Sequence, residues 1–276
     1  MSSIEILGLR AGYGERSILS DLDLKAGPGE FLAVLGPNGS GKTTLLKVLL
    51  GLLKPTAGSV LVDGTAPKPR NRVVGYIPQH RGFDRDLPIR GRDLVTLGLN
   101  GHKLGLLRST RPERALVERA LEQVGALDYA DAPVGMLSGG EQQRLRIAQA
   151  ILGEPSVLLC DEPLLALDPG RQMEVTRVID RYRRERGATV LFVTHEINPV
   201  LPYVDRILYL VNGRSVLGRP EAVLTRETLT GLYGNPVEVV RVGERVIVLA
   251  GDEESHSEID GHHHHDHGEV ASKWMS

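Results

Sequence analysis

The sequence predicts an α/β fold, in which helices cover the faces of a largely parallel β-sheet. The run Phe31–Leu35 is continuously apolar, as expected of a strand that is buried on both faces. Strand-like and helix-like segments alternate in both halves of the chain, which is typical of parallel sheets. The length of 276 residues also suffices for a full core, because a domain of about 300 residues buries about three quarters of its unfolded surface.

The first eighty residues are predicted to hold five strands and one helix. Apolar and polar residues alternate in the first two strands, which is the period of half-buried strands. The predicted strands are residues 4–9, 18–25, 31–35, 59–63 and 72–77. A glycine-rich turn after the third strand leads into a helix over residues 42–50, whose exit is marked by Gly51 and Pro55. Residues 79–88 are predicted to be a polar loop.

The remaining elements are a helical insertion, a second α/β part and a tail. Helices are predicted over residues 91–99, 112–124 and 141–152, so residues from about 90 to 155 form an insertion. After it we predict strands 157–160, 189–193 and 206–210, helices 171–186, 220–224 and 226–233, and a hairpin of 237–240 with 245–249. Residues 1–250 then form one domain, and the acidic, histidine-rich residues 251–276 are expected to be disordered.

Composition excludes several classes of protein. The net charge of −2 and the 4% aromatic content argue against a nucleic-acid-binding protein. A single cysteine rules out a disulfide framework and a cysteine-based zinc finger, and it fits a reducing compartment. No segment resembles a signal peptide, and no window holds the roughly 18 apolar residues of a membrane helix.

A phosphate-binding loop follows the buried strand. The segment matches G-x-x-x-x-G-K-[ST] and consists of Gly36, Pro37, Asn38, Gly39, Ser40, Gly41, Lys42 and Thr43, with Thr44 after it. Glycines let backbone N–H groups approach the phosphates, and the helix N-terminus adds partial positive charge. Lys42 is expected to reach the β- and γ-phosphates, and the Thr43 hydroxyl to bind Mg²⁺. A chance glycine-rich turn is the alternative, which the flanking strand and helix argue against.

Two carboxylates end the apolar strand that precedes the second α/β part. Asp161 is predicted to hold Mg²⁺, directly or through water, and Glu162 to polarise the attacking water as a general base. Burial would favour the protonated form of Glu162 while Mg²⁺ opposes it, and the sequence leaves that balance open. Alone, such a pair would be an ordinary acidic loop; the phosphate-binding loop makes the catalytic interpretation the better one.

A second glycine-rich helix start lies about 100 residues after the first. It reads Leu-Ser-Gly-Gly-Glu-Gln and supplies Ser138, Gly139, Gly140 and Glu141. Helix N-termini bind anions, so two such sites suggest two chains that share a nucleotide head to tail. With these motifs in this order, residues 3–235 resemble the ATP-binding cassette (ABC) family. The resemblance implies a P-loop (RecA-like) nucleotide-binding core, an antiparallel β subdomain and an inserted α-helical signature subdomain.

The resemblance gives roles to four further residues. Tyr13 matches the aromatic residue that stacks on adenine, although by itself it would be a surface turn tyrosine. Gln79 matches the glutamine that contacts Mg²⁺ and water and senses the membrane partner. Asp168 matches the loop that contacts the opposite subunit, and His195 matches the switch histidine at the γ-phosphate. The catalytic set is therefore Glu162, His195, Gln79 and Lys42, with ATP and Mg²⁺ as the implied ligands.

The implied assembly is a homodimer of cassettes on a membrane transporter. The resemblance implies transmembrane permease subunits as direct partners, an extracytoplasmic substrate-binding protein as an indirect one, and a peripheral location on the cytoplasmic face of the cell membrane. The region 79–99 is expected to pass the power stroke to the permease. Two departures, Glu141 where the family commonly has glutamine and Leu165 where a small polar residue is usual, are expected to retune contacts between subunits.

The cargo suggested by the resemblance is a divalent metal, because the chain is similar to cassettes of the zinc/manganese uptake group. The tail carries His256, His262, His263, His264, His265 and His267, which are ligand types that suit Zn²⁺. A metal sensor or buffer, a purification tag and an inert tail are the three interpretations. Import of an iron chelate, cobalamin or another small nutrient is the alternative cargo. A non-transport cassette is disfavoured by the single phosphate-binding loop and the lack of heptads.

Overall fold

A computed structural model describes residues 3–79, 82–100 and 110–250. Its strands are β1 (Ile4–Tyr13), β2 (Arg16–Ala26), β3 (Phe31–Leu35), β4 (Ala57–Val62), β5 (Val74–Ile77), β6 (Val157–Asp161), β7 (Thr189–Val193), β8 (Arg206–Val211), β9 (Arg214–Gly218), β10 (Val237–Val242) and β11 (Arg245–Ala250). Its α-helices are α1 (Lys42–Leu49), α2 (Gly91–Asn100), α3 (Arg111–Gln123), α4 (Gly139–Ile151), α5 (Pro169–Arg186), α6 (Pro220–Val223) and α7 (Arg226–Tyr233). The α/β fold class is confirmed.

A six-stranded sheet forms the centre, in the order β5-β6-β7-β3-β8-β9. The first five of these strands are parallel to one another, and β9 pairs antiparallel with β8 at the edge. Strands β3, β6 and β7 are buried along their whole length, as their apolar runs predict. All four strands from β5 to β3 therefore end at one edge of the sheet.

A smaller antiparallel sheet, β2-β1-β4, packs on one face of this centre. Helix α1 lies in the core between the two sheets and contributes Leu45, Leu46, Val48 and Leu49. The same core takes Leu32 and Val34 of β3, whereas Phe31, Ala33 and Leu35 belong to the core on the other face. This division follows from the two-residue period of a strand.

The opposite face of the central sheet is covered by helices and by the C-terminal hairpin. Helices α2, α3 and α4 follow β5 and precede β6, and they share one core with α5, α7 and the hairpin β10–β11. No helix among the described residues is long and apolar enough to cross a membrane. The histidine-rich residues 251–276, for which disorder is predicted, lie outside the described ranges.

Several predicted element bounds were wrong. Strand β1 runs on to Tyr13 through register shifts after Ile6, Leu9 and Ala11, which break the simple alternation on which the prediction rested. Strand β9 was missed because its residues are exposed or half-buried and lack a clear apolar period. The signature helix α4 starts at Gly139, two residues before the predicted start, because Ser138 already caps it.

Candidate active site

Most of the predicted site residues come from the carboxyl ends of adjacent parallel strands. The phosphate-binding loop follows β3, Gln79 follows β5, Asp161 ends β6, and His195 comes two residues after β7. Ligands of open α/β sheets bind at this edge, because the strands end there and the loops open outward. The topology therefore explains why residues that are distant in sequence meet in one cleft.

The backbone of the phosphate-binding loop requires glycine. Gly36 and Gly41 have φ of 143° and 107°, values that other residues rarely adopt. A Cβ on Gly36 would lie 2.1 Å from the carbonyl oxygen of Leu210. The loop therefore packs closely against β8, with no room for a side chain at position 36.

Lys42 and Ser40 present polar atoms that are available to a ligand. The Lys42 ammonium donates hydrogen bonds to the carbonyl oxygens of Gly36 (2.7 Å) and Pro37 (2.9 Å), at the tip of the loop. Burial lowers the pKa of Lys42, while the nearby charges of Glu162 and Asp161 oppose that shift. The buried Ser40 hydroxyl has no hydrogen-bond partner among the residues that the structure describes. A phosphate would supply acceptors for both groups, so the loop fits the predicted ligand.

Asp161 is held by a hydrogen bond that the sequence analysis did not foresee. The Tyr76 hydroxyl donates to Asp161 Oδ2 at 3.2 Å, from the neighbouring strand β5. Burial raises the pKa of Asp161, the adjacent Glu162 charge adds to this, and the Tyr76 hydrogen bond opposes it. Burial, reinforced by Asp161, raises the pKa of Tyr76 to about 12. Tyr76 therefore stays a proton donor that orients the carboxylate.

Glu162 occupies a strained position that aims it at His195. Its φ of 47° lies in the left-handed region, which costs a residue with a side chain about 1–3 kcal/mol. The Glu162 N–H donates to the carbonyl oxygen of Val193 at 3.0 Å, which holds the end of β6 to the end of β7. Glu162 Oε2 lies 3.5 Å from His195 Nδ1. The predicted base and the predicted switch histidine are thus adjacent.

One open cleft of about 700 Å³ brings most of the predicted residues together. Its lining includes Tyr13, Asn38, Gly39, Gly41, Lys42, Thr43, Thr44, Gln79, Glu162 and His195. Tyr13 is half exposed at the end of β1, and its hydroxyl accepts a hydrogen bond from Lys47 at 3.1 Å. Lys47 Nζ also lies over the ring, 5.3 Å from its centroid, so stacking of the exposed ring on a base stays a prediction.

The oxygen ligands in and beside this cleft suit Mg²⁺ better than zinc. Thr43, Gln79 and Asp161 offer hydroxyl, amide and carboxylate oxygens, which are the ligand types that a hard cation prefers. Among the described residues, no group of three or more histidine, cysteine, aspartate and glutamate side chains could hold a metal ion. The six tail histidines proposed as zinc ligands lie outside the described residues.

The signature segment begins α4 with a capping box. Ser138 accepts from the Glu141 N–H at 3.5 Å, while Glu141 Oε2 accepts from the Ser138 N–H (2.8 Å) and hydroxyl (2.7 Å). These hydrogen bonds lower the pKa of Glu141 and keep it anionic. The residue that departs from the family pattern therefore stabilises the helix start and occupies the Ser138 hydroxyl. A nucleotide contact by Glu141 stays a prediction.

Asp168 and the signature face the same arginine. Asp168 caps α5 by accepting the Arg171 N–H at 3.1 Å, and it pairs with Arg171 Nε at 3.1 Å. The Arg171 side chain lies across Gly140, where an added Cβ would be 2.9 Å from its Cδ. Neither Asp168 nor residues 138–141 belong to the lining of the 700 Å³ cleft. The described chain thus presents two separate sets of predicted nucleotide contacts.

Three residues at the site were missed by sequence reasoning. They are Tyr76, Arg171 and Gln142. The buried side-chain amide of Gln142 donates hydrogen bonds to the Val134 and Leu137 carbonyl oxygens and accepts one from the Phe83 N–H. Tyr76 and Gln142 lie within or beside quoted motifs, so their position was a usable signal. No pattern in the sequence indicated their partners, which are distant along the chain or depend on a loop conformation.

Comparison with known proteins identifies the family. The ABC transporter family profile matches residues 19–165. The manganese transport system ATP-binding protein MntB of Bacillus subtilis is 34% identical over 237 residues, covering 85% of this chain and 93% of the relative. The zinc import ATP-binding protein ZnuC of Yersinia enterocolitica is 36% identical over 222 residues, covering 80% and 81%. The chain spans only 53% of another relative, the ABC transporter ATP-binding protein YvrA of Bacillus subtilis, at 35% identity.

Solved structures give the same result. A structure described as an inward-facing conformation of a metal-chelate type ABC transporter matches with a TM-score of 0.75 and 27% identity, covering 90% of this chain and 96% of that chain. A dimeric ATP-binding cassette bound to ADP and phosphate matches with a TM-score of 0.64 and 28% identity, covering 78% and 98%.

Proposed function

Because the chain belongs to the ABC transporter family as an ATP-binding cassette, an ATPase coupled to transport, we propose that it drives the import of a divalent metal ion, zinc or manganese. The observation that supports this cargo is the similarity to MntB and ZnuC, which covers four fifths or more of this chain. The site geometry supports the hydrolysis itself. Two carboxylates, a lysine and a histidine meet beside a phosphate-binding loop.

Each of these side chains has a defined task in ATP hydrolysis. Lys42 exchanges its two carbonyl partners for phosphate oxygens and offsets the charge that develops during transfer. Glu162 orients the attacking water, and His195, 3.5 Å from its carboxylate, contacts the γ-phosphate. Thr43, Asp161 and Gln79 hold Mg²⁺, which when bound supplies positive charge to the β- and γ-phosphate oxygens.

A second copy of the chain completes the site. The cleft that holds the phosphate-binding loop is not lined by residues 138–141 or by Asp168. In our proposal these two sets act on the nucleotide of the partner cassette, so that ATP closes a head-to-tail dimer. Hydrolysis removes the γ-phosphate contacts, and the dimer opens. The likeness to a dimeric cassette with ADP and phosphate supports this arrangement.

The cassette works on a membrane complex in this proposal. Permease subunits dock on the surface formed by residues 79 and 82–99, and they meet an extracytoplasmic substrate-binding protein on the far side of the membrane. The cassette then lies on the cytoplasmic face. We further propose that the histidines of residues 256–267 bind Zn²⁺ and sense or buffer it.

The cargo is tested by elemental analysis of cells grown in metal-limited medium. Cells would carry the parent chain, Glu162→Gln or a chain ending at Gly251, all at matched expression. Because Glu162→Gln removes the general base, zinc or manganese should fall selectively in those cells. The chain ending at Gly251 keeps the ATP site, so it should sustain uptake while losing the dependence of uptake on external metal.

Two results would contradict these proposals. Unchanged metal content with a membrane-bound Glu162→Gln protein would refute metal import and favour a chelate or other nutrient, for which the metal-chelate type structure is the supporting likeness. An unchanged metal response in the chain ending at Gly251 would refute sensing by the tail and leave the cargo proposal standing.

A further inference from the structure

The loop that carries His195 is fixed at two points by its own residues. The Thr194 hydroxyl donates to the Glu196 carbonyl oxygen (2.9 Å) and accepts the Glu196 N–H (3.1 Å), so the chain turns directly around His195. Farther along, Ile197 and Val200 are buried in the core on the face of the central sheet that the helices cover. Asn198 lies between these two apolar residues and is half-buried, and its side chain makes contact with another element.

That contact is with the C-terminal hairpin. Asn198 Nδ2 donates to the Val246 carbonyl oxygen at 3.0 Å, and Asn198 Oδ1 accepts the Val246 N–H at 2.8 Å. The side-chain amide thus pairs with both polar groups of one β11 residue, 48 positions along the chain. The side chain of Val246 is buried in the same core as Ile197 and Val200. Asn198 therefore joins β11 to the loop of the switch histidine.

Apart from the Asn198 contact, a cavity separates the turn of the hairpin from the site. A cavity of about 630 Å³ lies between the turn residues Glu244 and Arg245 on one side and Leu167 and Pro169 on the other. Glu196 and Asn198 also line this cavity. The turn therefore has room to move relative to the loop that ends at Asp168. The Asn198 side chain provides a polar contact between the hairpin and the His195 loop.

The opposite end of the hairpin has a matching but independent attachment. The Thr230 hydroxyl of α7 accepts the Val237 N–H at 3.1 Å and donates to the Val237 carbonyl oxygen at 3.5 Å. Val237 pairs with Ala250, at the end of the hairpin where residue 251 continues. This attachment stabilises the hairpin without contacting the His195 loop, so the two can be tested against each other.

We propose that Asn198 is a positioning residue for ATP hydrolysis, and that the hairpin β10–β11 controls the rate of hydrolysis through it. Held by Val246, Asn198 keeps the His195 loop in the arrangement that places His195 beside Glu162. A hairpin displaced toward the neighbouring cavity pulls on that loop and removes His195 from its position. Asn198 is not among the described residues that line the nucleotide cleft, so we expect ground-state binding of ATP not to depend on it.

The test is steady-state ATP hydrolysis by the full 276-residue chain with Asn198→Ala. We expect kcat to fall about tenfold while the KM for MgATP changes by less than about twofold, since misplacing a catalytic group by about 1 Å can reduce a rate by this much or more. Asn198→Asp keeps the acceptor for the Val246 N–H but replaces the donor with a carboxylate oxygen that faces the Val246 carbonyl oxygen. Its kcat should therefore also fall below that of the parent.

Thr230→Val is the matched control. It removes the same kind of side-chain attachment from the other end of the hairpin, so the melting temperature should fall while kcat stays within about twofold of the parent. The proposal is overturned if Asn198→Ala lowers only the melting temperature, or if Thr230→Val lowers kcat equally. Should Asn198→Ala fail to fold, an unchanged kcat in Asn198→Asp would overturn the proposal as well.

Discussion

Asp161 and Glu162 are neighbours in the chain, yet they differ in burial, in hydrogen bonding and in backbone conformation. Asp161 ends β6, is buried, and receives the Tyr76 hydrogen bond. Glu162 has already left the strand, with a positive φ that turns its carboxylate toward His195. In the proposed function, Asp161 therefore serves as an oriented cation ligand and Glu162 as the base. The difference arises from backbone geometry, since the side chains differ by one methylene.

Tyr76→Phe should raise the Mg²⁺ concentration that ATP hydrolysis requires. The change removes the hydroxyl that orients Asp161 Oδ2 and leaves the ring in place, so we expect a several-fold higher Mg²⁺ concentration for half-maximal ATP hydrolysis. Titration of hydrolysis against Mg²⁺ at saturating ATP measures this, and binding of Mn²⁺ with ATP, followed by its electron paramagnetic resonance signal, gives a reading that is independent of turnover.

Tyr182→Phe is the control for this prediction. It removes a hydroxyl that donates to the Pro155 carbonyl oxygen at 2.9 Å, away from the cleft lining. The Mg²⁺ requirement of Tyr182→Phe should match that of the parent. If Tyr76→Phe and the parent also had equal requirements, the hydroxyl would have no part in holding the cation.

At the scale of elements, the two glycine-rich helix starts differ in how their N-termini are capped. Helix α1 is preceded by Gly41 in a left-handed conformation with no side-chain cap, and its first turn has no acidic residue. Helix α4 is preceded by Ser138 with a full capping box to Glu141. The N-terminus of α1 therefore leaves its backbone N–H groups free for phosphate, whereas the capping box of α4 already binds some of the N–H groups at that helix start. The first is therefore the stronger anion site within one chain.

The shape of the phosphate-binding loop should depend on Gly36 far more than on Gly39. Both have positive φ, so alanine at either position is strained by about 1–2 kcal/mol. At Gly36 the added Cβ would also meet the Leu210 carbonyl oxygen at 2.1 Å, whereas at Gly39 nothing lies within 4 Å. Gly36→Ala should therefore lower the free energy of unfolding by at least about 3 kcal/mol in total.

Urea unfolding of the Gly36→Ala and Gly39→Ala chains measures this difference. Gly39→Ala serves as the reference for backbone strain alone, with an expected loss near about 1 kcal/mol. Equal losses for the two variants would show that contact with β8 does not determine the requirement for glycine at position 36.

At the scale of the whole molecule, one chain supplies half of each composite site in the proposed dimer, and Arg171 connects the two segments that we propose face the partner. It pairs with Asp168 and lies across Gly140, so it fixes the loop before α5 to the start of α4. A second contact between these helices, the ion pair of Arg144 with Glu174, lies elsewhere. The Arg171 side chain therefore helps to place the two proposed partner-facing segments relative to each other.

Arg171→Ala should weaken the ATP-dependent dimer. In a Glu162→Gln chain, which binds ATP without hydrolysing it, ATP should shift the protein from monomer to dimer. Adding Arg171→Ala removes the connection between the two motifs, so we expect about tenfold more ATP for half-maximal dimerisation. Size-exclusion chromatography with light scattering measures the shift.

Arg144→Ala in the same Glu162→Gln chain is the control, because it breaks an α4–α5 ion pair without touching Asp168 or Gly140. Its dimerisation should follow that of the Glu162→Gln chain. A monomer at every ATP concentration in the Glu162→Gln chain would contradict the dimer itself, and an Arg171→Ala chain that dimerises normally would contradict the role of the arginine.

The sequence alone predicted the fold class and most of the residues that meet in the cleft, because their signals are local. The positive φ values of Gly36 and Gly41 belong to the loop itself, and the apolar run of β3 depends on residues next to one another. The motifs at the end of β6 and at the start of α4 were likewise recognised from consecutive residues. Such features need no knowledge of distant partners, since short-range sterics and hydrophobic periodicity determine them.

The tertiary structure alone decided which distant residues meet. Tyr76 reaches Asp161 because β5 and β6 pair in parallel with Tyr76 opposite Leu159, which places Asp161 on the same face two residues later. Asn198 meets Val246 because the hairpin packs back on the His195 loop. Strand register and hairpin docking arise from burying a common core between segments far apart in sequence, so no local pattern could reveal these partners.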